Sequence, residues 1–315
     1  MSDALLELKD ISVHYRQAEG RGSLTAVDRV SLSLAAGRTL GIVGESGCGK
    51  SSLARAILQL EDHVGETRLA GEALESLSPN MLREARSAMQ AVFQDPLASL
   101  NPRRRVLDIV SEPLSIHRRE MSEQERAEKA AELLKRTGIG KDLHLRYPHE
   151  LSGGQCQRVA IARAFVCEPR LVICDEPVSA LDMSVRGQIL SLLATLQRDL
   201  GIALIFIAHD MSAVRYLCEE VVVMLAGEVV EQADRETLFE RPAHPYTRQL
   251  LNAVLPPDPT QQPPPLPRRG DHRVPDKGCV FAPRCPWVQD ACREELPELR
   301  RVGGGLVACR RAEEI

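Results

Sequence analysis

No apolar run in this sequence approaches the ~18 residues needed to cross a bilayer as a helix. The longest apolar stretches, such as Ile202 to Ala208, have the length of buried strands. Nor is there a basic excess: across 315 residues the formal charge is −4. That argues against a general nucleic-acid binder, which carries positive charge to meet the phosphate backbone. Arg103-Arg104-Arg105 is the one notable basic cluster, and a short charge run reads first as a solvated face. Met1 to Asp10 contains acidic residues and no basic n-region, so no secretory signal is expected there. There is no internal repeat. The expectation is a chain that stays in the cytosol, where thiols are reduced and disulfides rare.

At this length, one large domain plus an appendage is the prior expectation. Ala4 to Val13, Val30 to Leu34 and Thr39 to Val43 read as strands, and a helix is predicted from Lys50 to about Leu60. Met89 to Phe93, Leu171 to Cys174, Ala203 to Ile207 and Val221 to Leu225 are further apolar runs of strand length. Helical stretches lie among them: Ser122 to Thr137, Gln155 to Cys167, Val185 to Leu200 and Ser212 to Leu217. Strands alternating with helices predict a mainly parallel sheet covered on both faces. The mostly helical interval from Pro96 to about Cys167 reads as a lobe inserted into that sheet. This gives a main domain over 1–255, a proline-rich linker over 256–275 and a cysteine-rich extension over 276–315.

Gly44, Glu45, Ser46, Gly47, Cys48, Gly49, Lys50 and Ser51 fit the pattern G-x-x-x-x-G-K-S/T, between a predicted strand and a predicted helix. That is the context the phosphate-binding loop requires. Glycines let backbone N–H groups close around phosphate oxygens, and the helix start adds positive potential. Lys50 is expected to reach the β- and γ-phosphates of ATP, and the Ser51 hydroxyl to ligate Mg²⁺. Leu171 to Glu176 is an apolar strand ending in two carboxylates. Beside a phosphate loop, Asp175 is placed to hold Mg²⁺ and Glu176 to act as general base on the attacking water.

Leu151-Ser152-Gly153-Gly154-Gln155 opens a predicted helix, and on average residue usage this pentapeptide arises by chance in about one chain in a few thousand. It resembles the signature sequence of ATP-binding-cassette proteins. Ser152 and the two glycines expose backbone amides at a helix start, a second anion site. One chain cannot fold that site onto its own phosphate loop, so the resemblance implies a head-to-tail dimer with each ATP between one subunit's Lys50 loop and the other's Ser152 loop. The resemblance further implies an α/β phosphate-loop core with a parallel sheet, a small antiparallel β subdomain and an inserted helical lobe. Tyr15 is similar to the aromatic residue that stacks on adenine, and Ser52 continues the nucleotide site. Gln94 is similar to the glutamine that contacts Mg²⁺ and water, Ser179-Ala180-Leu181-Asp182 to the loop that crosses to the opposite subunit, and His209 to the switch histidine that senses the γ-phosphate.

Gln94-Asp95-Pro96-Leu97-Ala98-Ser99-Leu100-Asn101-Pro102-Arg103, His244-Pro245-Tyr246-Thr247, Gly278-Cys279 and Arg284-Cys285-Pro286 are similar to the peptide and nickel importer branch of that family. The closest likeness is to the second ATPase of dipeptide and oligopeptide permeases. This implies a sister ATPase, two membrane-spanning permease subunits and an extracytoplasmic solute-binding protein, with this chain peripheral on the cytoplasmic face of the membrane. Nickel or another small solute is the alternative cargo; a soluble cassette ATPase acting on DNA or ribosomes, or a metal sensor regulated by ATP, are the rival functions. Nine cysteines are present, and Cys279, Cys285, Cys292 and Cys309 crowd the tail. They read as a metal site, a disulfide pair or unrelated thiols, and four thiolates suit Zn²⁺ or an iron–sulfur cluster alike. The family resemblance implies a 4Fe–4S cluster.

Overall fold

A computed structural model describes residues 4–16, 23–253, 275 and 277–315. The predicted linker therefore lies, apart from Pro275, outside the described residues. In chain order the elements are β1 (Ala4–Arg16), β2 (Ser23–Ala35), β3 (Thr39–Val43), α1 (Lys50–Ile57), β4 (Val64–Leu69), β5 (Glu72–Ala73) and α2 (Pro79–Ala88). There follow β6 (Met89–Val92), α3 (Pro96–Ser99), α4 (Val106–His117), α5 (Glu123–Arg136), α6 (Gly153–Phe165), β7 (Leu171–Asp175) and α7 (Met183–Leu200). The chain continues through β8 (Ala203–Ala208), α8 (Met211–Leu217), β9 (Glu220–Leu225), β10 (Glu228–Asp234), α9 (Arg235–Glu240) and α10 (Pro245–Asn252). The tail adds α11 (Ala291–Glu294), β11 (Arg300–Val302) and β12 (Gly305–Val307).

Two sheets organise these elements. The larger runs β11-β12-β10-β9-β3-β8-β7-β6, and the smaller is an antiparallel β2-β1-β4-β5. Within the larger sheet, β6, β7, β8, β3 and β9 are mutually parallel. Side chains alternate across a strand, and the two cores follow that alternation. Leu204, Phe206, Val172 and Cys174 face one core with α6 and α7, whereas Ile205, Ile207, Leu171 and Ile173 face the other with α1 and the small sheet. Strands buried on both faces read as continuous apolar runs, which is why they were legible.

Helices α3 to α6 fall between β6 and β7, where the sequence placed a helical lobe. Helix α5 begins with a reciprocal cap in which Ser122 and Glu125 each accept the other's backbone N–H. That arrangement satisfies two donors a helix start otherwise leaves free. Segments the sequence did not announce have weak patterns. Helix α2 buries none of its side chains fully, and its apolar face is a short one of the partly buried Leu82, Ala85 and Ala88. Strand β4, with the sequence VGETRL, buries only Thr67 and Leu69.

The tail joins the core. Strand β12 pairs antiparallel with β10 through Glu231–Val307 and Gln232–Leu306, and Phe281 is buried in the core that holds Phe206.

A seam between the small sheet and the β9–β10 turn supports the phosphate loop. Gly227 accepts from the Asp28 N–H at 2.9 Å and donates its own N–H to the Cys48 carbonyl at 3.0 Å. At this seam burial, with the field of Asp28 adding to it and Arg29 opposing, raises the Glu228 carboxyl from 4.5 to about 7. Between those values the folded chain keeps a proton that the unfolded chain has released. The stabilising contribution is therefore complete below pH 4.5 and is lost as pH rises through about 7. Glu228→Gln, which cannot ionise, is expected to melt above the native protein at about pH 8 and to converge with it below about pH 4.5. A melting difference that is the same at both ends of a pH series would contradict this.

Candidate functional site

Parallel pairing brings four strand ends to one edge. Val43 is level with Ala208 and Val223, Asp175 with Ile207, and Val92 with Cys174. The residues that follow these strands therefore emerge side by side, at the carboxyl ends where open α/β sheets bind ligands. They are the loop after β3, the Asp175-Glu176 pair, Gln94 and His209.

The loop Gly44–Ser51 turns β3 into α1. Gly49 has φ 103° and a Cβ there would collide with the Ala26 carbonyl oxygen, so only glycine serves. Ser46 and Gly47 at the crest are exposed. Lys50 is 4% exposed, and its Nζ donates to the carbonyls of Gly44 and Glu45, each at 2.9 Å. Cys48 is buried behind the loop, and burial pushes its thiol pKa up. The Ser51 hydroxyl donates to Asp175 Oδ1 at 3.0 Å. Burial is the main influence raising the Asp175 carboxyl, with the Ser51 hydrogen bond opposing it. Two hard oxygen donors, one a partly buried carboxylate, are thus paired beside the loop, a donor set suited to a divalent cation.

Glu176 sits at φ 48°, a left-handed conformation that costs a non-glycine residue energy. Its N–H donates to the Ile207 carbonyl at 3.0 Å, fixing the turn against β8. One carboxylate oxygen, Oε2, receives Gln94 Nε2 at 3.3 Å and lies 3.4 Å from His209 Nδ1. Gln94 and His209 are exposed, whereas the Glu176 side chain is 17% exposed. Three residues singled out from distant parts of the sequence therefore meet at one oxygen atom. Beside them, Ser51, Gln94 and Asp175 line an open cleft of about 710 Å³ that also takes in Arg55, Arg86 and Arg163.

Tyr15 lies against α1, with its hydroxyl donating to Glu61 Oε2 at 3.2 Å and lying 3.1 Å from Ser52 Oγ. Ser152 caps α6: its hydroxyl accepts the Gln155 N–H at 3.3 Å, and the Gln155 side chain accepts the Ser152 N–H at 2.9 Å. Ser152 and Gly153 are exposed, Gly154 and Gln155 partly so, and none of the four lines the cleft of Ser51 and Asp175. Of the sequence-derived site, the loop, Asp175, Glu176, Gln94 and His209 are brought together and the Ser152 turn is not.

Two contacts to the loop went unread. Glu45 donates its N–H to Tyr246 Oη at 2.9 Å, and its carboxylate is gripped by Arg284 through bonds of 2.9 and 2.5 Å. Tyr246 and Arg284 both belong to stretches quoted for their resemblance, but no local pattern announces a contact across 201 or 239 positions.

The tail cysteines are all free thiols, and Cys279, Cys285, Cys292 and Cys309 line one small pocket with His244, Phe281 and Trp287. Burial pushes the Cys279 thiol up to about 11 and also raises Cys285 and Cys309, with neighbouring thiols adding to the shift. The expected metal centre finds no support in this geometry: among the described residues, no group of three or more His, Cys, Asp or Glu side chains is drawn together closely enough to hold a metal ion. The four cysteines share the lining of one pocket, without a ready-made set of metal donors.

Among the described residues, no helix is long and apolar enough to cross a membrane. Residues 27–179 match the family model described as ABC transporter, and residues 230–292 match that of the oligopeptide/dipeptide transporter C-terminal region. The chain is 43% identical to the oligopeptide transport ATP-binding protein OppF of Escherichia coli, over 99% of this chain and 97% of that protein. It is 40% identical to the di/tripeptide transport ATP-binding protein DppF of Pseudomonas aeruginosa, over 99% of both. The ATP-binding cassette MJ0796, solved as a dimer in a post-hydrolysis state with ADP and Pi, superposes with a TM-score of 0.67 at 31% identity, covering 73% of this chain and 98% of that one. CbiO1 of Clostridium perfringens, part of the ABC transporter complex cbiONQ, superposes with a TM-score of 0.66 at 30% identity, covering 76% and 92%. By fold, strand-end geometry and full-length likeness, this chain belongs to the ATP-binding-cassette transporter ATPases, in the branch of the oligopeptide and dipeptide transport ATP-binding proteins.

Proposed function

We propose that this chain is the ATP-hydrolysing subunit of an importer for dipeptides or oligopeptides, working from the cytoplasmic face of the membrane. The observation that carries the reading is the meeting of Gln94 and His209 on one oxygen of Glu176, beside the Ser51–Asp175 pair. The loop from Gly44 to Ser51 cradles the triphosphate with its backbone N–H groups, and Lys50 supplies positive charge to the β- and γ-phosphates. Ser51, Gln94 and Asp175 would hold Mg²⁺, which neutralises phosphate charge when bound. Glu176 takes a proton from the water whose oxygen attacks the γ-phosphorus, as the bond to the bridging oxygen breaks and ADP leaves. Gln94 and His209 orient that carboxylate and water, and Tyr15 stacks on adenine.

The exposed Ser152-Gly153-Gly154-Gln155 turn supports a composite site: its amides close on the nucleotide of a neighbouring ATPase subunit. A sister ATPase, two permease subunits and a solute-binding protein complete the assembly. Closure on ATP and release on hydrolysis then drive the permease through its two access states.

For the tail, we infer a 4Fe–4S cluster on Cys279, Cys285, Cys292 and Cys309, with zinc the alternative. Support comes from four free thiols lining one pocket; a metal would displace the thiol protons as it bound. No step of ATP hydrolysis runs through this centre. Iron, sulfide and zinc analysis of the anaerobically purified chain decides the matter: about four irons per chain supports the cluster, one zinc the alternative, and neither metal removes both.

Two substitutions test the nucleotide site. Glu176→Gln is expected to keep ATP binding while lowering hydrolysis by 10² or more, an order of magnitude typical of a lost general base; turnover at the native rate would exclude Glu176 from that role. Lys50→Ala is expected to weaken MgATP binding itself, and titration showing native affinity would refute the phosphate contact.

A further inference from the structure

Glu45, the second residue of the phosphate loop, is held by the distant C-terminal part of the chain at both backbone and side chain. Its N–H donates to Tyr246 Oη at 2.9 Å. Its carboxylate receives Arg284 Nη1 on Oε2 at 2.9 Å and Nη2 on Oε1 at 2.5 Å, a two-pronged ion pair. The Arg284 side chain is only 11% exposed, and its guanidinium lies 5.3 Å from the Phe281 ring centre and 5.7 Å from that of Tyr246. Those two rings pack near the guanidinium, so its placement does not rest on the ion pair alone. Glu45 in turn presents its carbonyl oxygen to Lys50 Nζ at 2.9 Å.

We propose that Arg284 is a positioning residue for nucleotide binding, fixing Glu45 beneath Lys50 and cancelling the Glu45 charge at the edge of the phosphate loop. The inference rests on the reading that this loop binds ATP. A triphosphate brings several negative charges to the loop, and an unpaired carboxylate there would repel it. The paired carboxylate does not. Arg284 touches no phosphate; it acts through Glu45, and the C-terminal extension thereby becomes part of the ATP site. A residue that merely fastened the tail would behave differently. Its loss would lower the melting temperature without a specific effect on nucleotide affinity, and removing the Glu45 charge would restore nothing.

The test is steady-state ATP hydrolysis by the assembled transporter carrying the full chain, with KM for MgATP, kcat and melting temperature read for each variant. Arg284→Ala is expected to raise KM on the order of tenfold, the effect of one lost charge-assisted hydrogen-bonded pair, with kcat unchanged. Arg284→Lys should fall between, because lysine supplies the charge without the fork. Adding Glu45→Gln to Arg284→Ala should recover most of the KM. A native KM in Arg284→Ala, or a raised KM that Glu45→Gln does not relieve, would overturn the inference. If Arg284→Ala fails to assemble, the same two readings are taken on Arg284→Lys, alone and with Glu45→Gln. Turnover that survives Lys50→Ala would instead defeat the reading of the loop as the ATP site. Turnover lost in Lys50→Ala but indifferent to Arg284 defeats only the positioning role.

Discussion

The parallel register of β6, β7, β8 and β3 is the constraint on which the site depends. Each pairing sets neighbouring strand ends level, Val43 with Ala208 and Asp175 with Ile207, so that residues remote in sequence leave the sheet together. A one-residue slip would turn every side chain of a strand to the opposite face. The register is defended by burial on both sides: Ile205 and Ile207 belong to one core, Leu204 and Phe206 to the other. The geometry around Glu176 is thus secured by apolar packing several residues away from any chemistry.

Around that edge the loop from Gly44 to Ser51 is braced from three directions. Ala26 crowds Gly49 from the small sheet, Gly227 bonds the Cys48 carbonyl from the β9–β10 turn, and Tyr246 with Arg284 holds Glu45 from the C-terminal region. Pre-set loops bind phosphate without first giving up the entropy of ordering. The brace also accounts for the tail's placement. Phe281 is buried in the main core and β12 extends the main sheet beyond β10, so the cysteine pocket is assembled on the same framework that shapes the ATP site.

Much of this was legible because the chemistry is written in contiguous residues. The loop motif, the Asp175-Glu176 pair and the Ser152 turn each carry their own local context, and the central strands announce themselves as apolar runs. What was not legible was either long-range or patternless. The left-handed backbone of Glu176 has no signal in its residue type. Helix α2 has no fully buried residue, and β4 is half polar. The four tail cysteines were countable, but their meeting around one pocket follows from the fold of the tail, which spacing does not report. Arg284 reads as one basic residue among forty Lys and Arg until folding sets it on Glu45.

The proposed function requires that one chain supply only half of each working site. On the proposed reading, Glu176, Gln94 and His209 serve this chain's own nucleotide, and the exposed Ser152 turn, outside the cleft of Ser51 and Asp175, serves that of another subunit. The most direct measurement is a structure of the assembled transporter locked with a non-hydrolysable ATP analogue and Mg²⁺. The account predicts this chain's Ser152 within ~3 Å of the γ-phosphate held by the neighbouring ATPase subunit, at hydrogen-bond distance. Filled nucleotide sites with Ser152 turned to solvent would contradict it.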